Sequence, residues 1–446
     1  MKNKLLILCI CITSISFIKA QQKTGSVHIK GILKGFNNQV EVEDMSELQY
    51  LLPPVADRMT VPDANGNFEI SFQLASPNYF RLGRNALYLS PGDNMEVFIN
   101  KADPRVATFA GKGAEANLFL RNTPFPKGGS YIEAGGKTQR TPQATIDLMI
   151  KTGEQRSREL DSVKNVSAEF KRLEQGRIRA DIINSLEMGK VEFYRPRKMP
   201  KDSLAMYAAE YEKLIQPLVD SYSKGFTDAS LMKLVVYRDH AEDLVKEPGK
   251  TKDILQMKDW IKSTSLTEQM KKVSDKNQLA PFHKKIDSVS TKSYHEALTR
   301  SLSNLLQFGK GDVAVDFTVK DISGKDVKLS SLKGKVIYID VWATWCGPCM
   351  AEMPNYESLK AKYKNNPDIA FVSLSVDDGA AEWQKSVTER KVDGYQWQVN
   401  RTKLTAYNIV TIPRMFLIGK DFKMADMDAP LPSSKQIEKT INDLLQ

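Results

Sequence analysis

Two different periods of apolar residues run along the chain, and they divide it. From Ser26 to about Phe109 apolar and polar residues alternate in the strand period, as in Val27-His28-Ile29-Lys30-Gly31-Ile32 and Phe68-Glu69-Ile70-Ser71-Phe72. Asn65-Gly66 is a hairpin signal between such runs, and Pro91-Gly92-Asp93 marks a turn before Met95-Glu96-Val97-Phe98-Ile99. Residues 21–112 are therefore expected to form a small antiparallel β domain. From about Asn117 to Leu306 the period becomes helical. Leu204, Tyr207, Ala208, Tyr211, Leu214, Ile215, Leu218 and Tyr222 fall on one face of a helix that follows Pro200-Lys201-Asp202-Ser203, and Pro217 is expected to kink or split it. Stripes of this kind are core, so residues 113–307 read as a helical spacer or partner-binding module without catalytic spacing. Gly129, Gly135 and Gly136 interrupt a polar stretch near residues 127–142, which reads as a mobile loop. At Phe308-Gly309-Lys310-Gly311-Asp312 the pattern changes again, and strands alternate with helices over 308–446, as in a mixed α/β sheet.

Composition adds compartment and partners. The 446 residues are 41% hydrophobic and 26% charged, ordinary globular material for about three domains. The chain opens with Lys2 and Lys4, then the apolar run Leu5 to Ile18, then Ile18-Lys19-Ala20 before Gln21. That is the layout of a secretory signal peptide over residues 1–20, and the run is shorter than the roughly 20 residues of a spanning helix. Export to the periplasm or cell envelope is expected, with Cys9 and Cys11 removed at cleavage. The formal charge of +10 falls to +7 without Lys2, Lys4 and Lys19. Basic and acidic residues are interleaved throughout, which argues for a solvated surface and against a nucleic-acid partner.

After cleavage only Cys346 and Cys349 remain, so a disulfide-stapled scaffold is excluded and the pair has to be explained as chemistry. Val336-Ile337-Tyr338-Ile339-Asp340-Val341-Trp342-Ala343 is a nearly continuous apolar run, the mark of a strand covered on both faces. It ends at Trp345-Cys346-Gly347-Pro348-Cys349, and a helical segment follows through about Tyr363. A thiol at a helix N-terminus meets free backbone N–H groups and the positive end of the dipole, which favour the thiolate. Cys346 is thus expected to be the exposed nucleophile. Cys349, one turn on, faces it and can resolve a mixed disulfide. Gly347-Pro348 suits the tight turn, since proline is tolerated in a first helical turn. A zinc site would need further ligands, yet His28, His240, His283 and His295 show no metal-ligand spacing. A purely structural bridge across so short a loop would stabilise little.

The Trp-Cys-Gly-Pro-Cys motif and its surroundings resemble the thioredoxin superfamily, and more narrowly the TlpA/ResA-like exported thioredoxins. The likeness covers roughly the last 135 residues, with Val315-Asp316-Phe317-Thr318, the Ser323-Gly324-Lys325 turn and Leu329-Ser330-Ser331-Leu332-Lys333-Gly334-Lys335 as lead-in. It implies a C-terminal α/β thioredoxin fold. Pro354 falls at the superfamily's helix-kinking proline, and Asp377 resembles the end of the second central strand. Asp340, six residues before Cys346, matches the buried acid of thioredoxins. Burial would raise its carboxyl pKa and make it a proton acceptor for Cys349, whereas a solvated strand end would leave it inert. Thr411-Ile412-Pro413 matches the cis-proline loop, which implies a cis bond before Pro413 and backbone groups at Ile412 offered to an extended substrate. Arg414 stands where relatives commonly have Thr. Trp345 would belong to the docking surface, and Trp342 would support the motif from inside, while Trp383 and Trp397 read as packing residues.

These readings converge on an exported thiol-disulfide oxidoreductase acting on client proteins, with no metal or organic cofactor. The resemblance implies electrons from an upstream dithiol, in relatives a membrane-embedded thiol carrier. Gly-Pro is the dipeptide of reducing thioredoxins, whose potential is about −270 mV against about −120 mV for a strong oxidant, so a protein-disulfide reductase is favoured over an oxidase or isomerase. A thiol peroxidase would carry Pro-x-x-x-Thr-x-x-Cys, but Ile339 and Ala343 occupy those places. The non-enzymatic alternative is an envelope partner-binding protein with an accessory thioredoxin domain.

Overall fold

The computed structural model describes residues 25–446 except 37–39, 53–57, 126–128, 199, 247–248, 274, 378, 408 and 410, so the expected signal peptide lies outside the described residues. Among the described residues no helix is long and apolar enough to cross a membrane.

The alternation of the first hundred residues becomes eight strands: β1 (Gly25–Lys34), β2 (Val40–Asp44), β3 (Met59–Thr60), β4 (Asn67–Leu74), β5 (Asn78–Leu82), β6 (Asn85–Leu89), β7 (Asn94–Asn100) and β8 (Thr108–Lys112). They form two sheets ordered β4-β1-β7-β8 and β3-β2-β5-β6. On β4, Phe68, Ile70, Phe72 and Leu74 are buried while the residues between them are exposed. They join Val27, Ile29, Met95, Val97, Phe80 and Leu87 in one core between the sheets. The pairing departs from the antiparallel expectation, because β1 runs parallel to β7, Ile29 beside Met95 and Gly31 beside Val97. Asn65-Gly66 does sit in a tight turn, with Asp63 accepting from the Asn65 and Asn67 backbone N–H groups at 2.8 Å. However, β3 and β4 on either side of it belong to different sheets. A turn signal fixes where the chain reverses, while burial of the inner faces decides which strands pair.

Helices follow: α1 (Ala114–Leu120), α2 (Pro142–Ser162), α3 (Ala168–Glu192), α4 (Lys201–Ser223), α5 (Val235–Asp239), α6 (Ala241–Leu244), α7 (Lys252–Lys271), α8 (Phe282–Ile286) and α9 (Lys292–Gln307). Thr141, Ser167 and Thr251 cap α2, α3 and α7 through side-chain oxygens. The stripe predicted on α4 is only partly core. Tyr211 and Ile215 are fully buried and Tyr207, Leu218 and Tyr222 pack partly buried against the same cluster, but Leu204 and Leu214 are 37% and 44% exposed. The helix continues through Pro217. The glycine-rich stretch is not a mobile loop from residue 129 onward. Tyr131 and Ile132 are buried in the helical core, the Tyr131 N–H donates to Ser185, and Asn184 donates to the Gly129 carbonyl.

The C-terminal region holds β9 (Thr318–Asp321), β10 (Asp326–Lys328), β11 (Val336–Trp342), α10 (Gly347–Lys362), β12 (Ile369–Ser375), α11 (Ala380–Arg390), β13 (Tyr395–Gln398), β14 (Arg414–Ile418), β15 (Met424–Asp426) and α12 (Ile437–Leu445). One sheet has the order β10-β9-β13-β12-β11-β14-β15. Within it β11 is central, parallel to β12 and antiparallel to β14, and all seven of its residues are buried. Val336 and Tyr338 pack with Tyr356 of α10 and Ile441 of α12, while Ile337, Ile339 and Val341 pack with Trp383 and Val387 of α11.

Gly31 holds the parallel join of the first sheet. Its φ is +144°, and a Cβ there would lie 1.9 Å from the Val97 carbonyl oxygen. Gly31→Ala is expected to cost about 2 kcal/mol, read as a roughly thirtyfold loss of hydrogen-exchange protection along β1 and β7.

Candidate active site

The apolar face requirements of β11 carry the chain to the sheet's edge and release it there, and α10 begins at once. Cys346 is the residue that caps this helix. Its Sγ accepts from the Cys349 backbone N–H at 3.2 Å, and its carbonyl accepts from Met350 at 3.0 Å. The sulfur therefore takes up a first-turn N–H that no helix carbonyl can accept, where negative charge on it is favoured. Cys346 and Cys349 are joined as a disulfide. Pro348 lies in the first turn of α10, and Pro354 lies inside the helix, which continues past it.

One expectation is corrected. Cys346 is not an exposed residue: it is 4% accessible, because the disulfide tucks it into the apolar cluster formed with Trp342, Ala343 and Met353, while Gly347 and Pro348 stay on the surface. The large exposed side chain of the motif is Trp345, at 65%. Trp342 is fully buried beneath, and Trp383 and Trp397 are core.

The loop between strand and helix is held by Asp377, whose importance the sequence reading did not reach. This buried carboxylate follows β12. Both of its oxygens accept from the Thr344 N–H at 2.9 Å, and Oδ1 also accepts from the Thr344 hydroxyl at 2.8 Å. Ser375 donates to Oδ2 at 2.9 Å. The position of Trp345 and Cys346 is thus set from the neighbouring parallel strand. The available signal was an acid ending an apolar strand, but its partner is 33 residues away.

Asp340 lies within β11, opposite Ser373 on β12 and Met415 on β14. It is 3% accessible, which removes the solvated alternative, and its Oδ1 has no hydrogen-bond partner among the described residues. Burial pushes its carboxyl up to about 7, with the charge of Glu352 adding to the rise and Arg390 opposing it. Glu352 on α10 itself accepts from the Ser433 N–H and hydroxyl, at 3.1 and 2.8 Å.

The peptide bond before Pro413 is cis. Ile412 packs against the cluster that contains both cysteines, so this loop and the disulfide share one apolar surface. Arg414 turns away from the pair: its Nη1 meets Asp428 at 2.9 Å and its Nε donates to the Met427 carbonyl at 3.1 Å. Arg401 donates to the Ile409 carbonyl at 3.3 Å. Disulfide, first-turn N–H, buried carboxyl and cis-proline edge together suit dithiol-disulfide exchange.

The raised Asp340 value has a consequence for stability. Between about 4 and about 7 the folded protein keeps a proton that the unfolded chain has released, so stability falls as pH rises through that window. The cost reaches about 4 kcal/mol above pH 7. Asp340→Asn in the oxidised protein is expected to be more stable than the parent by a few kcal/mol at pH 8, with the gap closing near pH 4, in urea unfolding followed by tryptophan fluorescence. Asp377→Ala is expected to loosen the motif and lower disulfide-reduction kcat/KM about tenfold, which corresponds to about 1.4 kcal/mol.

The AhpC/TSA family profile matches residues 310–427. Thiol-disulfide oxidoreductase ResA of Bacillus anthracis is 31% identical over 137 residues, which make up 30% of this chain and 76% of that protein. Thioredoxin-like protein YneN of Bacillus subtilis is 24% identical over 134 residues, 30% of this chain and 79% of that protein. A Bacteroides vulgatus crystal structure described as a thiol-disulfide oxidoreductase is 39% identical, covering 31% of this chain and 98% of its own, with a TM-score of 0.30. The matched stretch is the one that carries the cysteine pair, Asp340 and the cis-proline loop, and through it the chain belongs to the TlpA/ResA-like thioredoxin family and is a thiol-disulfide oxidoreductase.

Proposed function

We propose that this oxidoreductase works as an exported protein-disulfide reductase of the cell envelope. The observation that carries the reading is the capping of α10 by the Cys346 sulfur, with Cys349 bonded to it and a raised carboxyl in the same strand-helix unit. In the reduced pair the Cys346 thiolate attacks one sulfur of a client disulfide. A mixed disulfide forms and the first client thiolate leaves. Cys349 then passes its proton to Asp340 and attacks the Cys346 sulfur, which expels the second client thiolate and closes the intrachain disulfide. Two electrons have moved from the pair to the client. An upstream dithiol returns them, by family analogy a membrane-embedded carrier. The chain along Ile412 and Pro413 receives the client as an extended segment, with Trp345 at its flank. Export rests on the charge and apolar run of residues 1–20. Residues 21–307 supply binding or placement of a partner.

Cys349→Ala in the full chain should leave clients attached to Cys346 as mixed disulfides that a reductant releases, detected on non-reducing gels; absence of such adducts would count against the cycle. The midpoint potential of the pair is expected near the thioredoxin value of about −270 mV, and a value near about −120 mV would assign an oxidase instead.

A further inference from the structure

Phe308-Gly309-Lys310-Gly311-Asp312 joins the helical part of the chain to the thioredoxin fold, and its two glycines suit a slack tether. The structure leaves it little slack. The Gly309 N–H donates to Asp312 Oδ2 at 2.9 Å, and the Asp312 N–H donates to the Gly309 carbonyl at 3.1 Å. Met424 of β15 takes up the rest of the backbone: its carbonyl accepts from the Gly311 N–H and its N–H donates to the Asp312 carbonyl, both at 2.8 Å. The Asp312 carboxylate also holds Lys276, which lies between α7 and α8, at 2.5 Å. A Cβ on Gly309 would lie 3.3 Å from the Lys276 Cβ, so the two segments touch there as well. Domains that move independently are joined by linkers across which few contacts run, and this joint is the opposite case.

Phe308 is the residue that ends α9, a helix packed through Leu298 and Leu302 into one cluster with Met270 and Phe282. Its ring points the other way, into the thioredoxin fold. It meets Tyr407 edge-on, with centroids 5.3 Å apart and planes at 77°, and packs on the apolar cluster that contains both cysteines and Ile412. Tyr407 is 1% accessible and ends the 3-10 helix Arg401–Tyr407, shortly before Pro413. It is held from three more directions. Its hydroxyl donates to the Val315 carbonyl at 2.5 Å, Phe317 meets it edge-on at 5.6 Å, and its ring stacks on Phe416 of β14 at 4.9 Å. Phe416 follows closely after Pro413 and pairs with Ile339 of β11. The stretch that carries the Ile412–Pro413 edge is thus bounded on both sides by one group of aromatic rings, and Phe308 brings the end of α9 into that group.

We propose that Phe308 is a positioning residue for client docking: together with the Lys276–Asp312 clasp it fixes, through Tyr407, the strand edge at Ile412 and Pro413, so that the helical part of the chain sets how well an extended client is held. This rests on the reading of that edge as the client's seat. Strand addition is tightest when the receiving backbone is already ordered, because a loose edge loses conformational entropy at the moment of binding. A stretch packed at both of its ends has lost that freedom on folding. The sulfur chemistry is fixed by other means, the capping of α10 by Cys346 and the hold of Asp377 on Thr344. The contribution of Phe308 therefore belongs to the binding of clients that offer a main chain, and not to the exchange step.

The test is reduction of two disulfide-bonded peptides of one sequence, plain and N-methylated at the residues flanking the cysteine, by full-length parent, F308A, F308Y and K276M proteins. N-methylation removes the backbone donors that strand addition uses, so the parent should show a KM several-fold lower for the plain peptide. F308A and K276M should raise the KM of the plain peptide about fivefold, keep its kcat within about twofold, and so bring the two peptides together. F308Y keeps the ring against Tyr407 and should match the parent. Parental KM values in F308A and K276M, or a rise equal for both peptides, would overturn the assignment, as would a failure of F308Y to match the parent. Should F308A lose kcat on both peptides through misfolding, K276M decides: a raised KM for the plain peptide alone upholds the proposal, and parental values overturn it. If the parent itself does not distinguish the two peptides, the edge is not the client's seat, and the proposal fails with that reading.

Discussion

Complete burial of the strand Val336–Trp342 is the constraint from which the reactive part of this protein follows. A strand covered on both faces and paired on both edges cannot shift by one residue without turning a whole row of side chains the wrong way. Its end is therefore a fixed point, and the cysteine that caps the next helix inherits that fixity. Asp377 extends the same logic sideways, since the parallel neighbour reaches across to hold Thr344 through three hydrogen bonds. The loop that carries the chemistry is short and irregular, yet it is tied at both flanks by elements that have no freedom of their own. The carboxyl of Asp340 belongs to this constraint as well: a residue in the middle of such a strand has no route to water, so burial itself raises its proton affinity and neighbouring charges only adjust it.

The front part of the chain is held together by a different device. Tyr79 on β5 donates to Glu174 of α3 at 2.5 Å, Glu174 pairs with Arg177 at 2.9 Å, and Arg177 lies over the Tyr79 ring at 4.7 Å. These groups are buried between the β region and the helices, along with Asp181, whose carboxyl burial raises to about 7. Removing one partner would leave an uncompensated buried charge, so the triad fixes the register of sheet against helix more than it adds net stability. Tyr88 and Phe170 complete the join with an aromatic contact at 5.0 Å.

The legibility of this architecture in the sequence varied with the range of the interaction involved. Alternation in Phe68–Phe72 and the apolar run at Val336 translate directly into strands, because each depends on which face of a short segment meets water. Trp-Cys-Gly-Pro-Cys was readable for the same reason, its parts lying within one turn of a helix. The parallel pairing of β1 with β7 was not, since nothing local to Val27 or Met95 encodes the partner. The stripe on α4 misled because periodicity shows that a helix has an apolar side, whereas the number of neighbours decides how much of that side is covered. Tyr131 and Ile132 were passed over among glycines, although two adjacent apolar residues were enough to anchor the segment. Asp377 acts across 33 residues of sequence, to Thr344, and only the folded sheet brings it to the motif.

The contrast between a secluded Cys346 and an indole standing out beside it has one more consequence. Of the tryptophans in the C-terminal region, Trp342, Trp383 and Trp397 are shielded whatever occupies the surface, whereas Trp345 reports directly on its contact with solvent. A polypeptide settling along the cis-proline edge would dehydrate that one ring and leave the others as a constant background. Under the docking mode proposed above, Trp345 would serve as a built-in optical probe, placed one residue from Cys346 and needing no label.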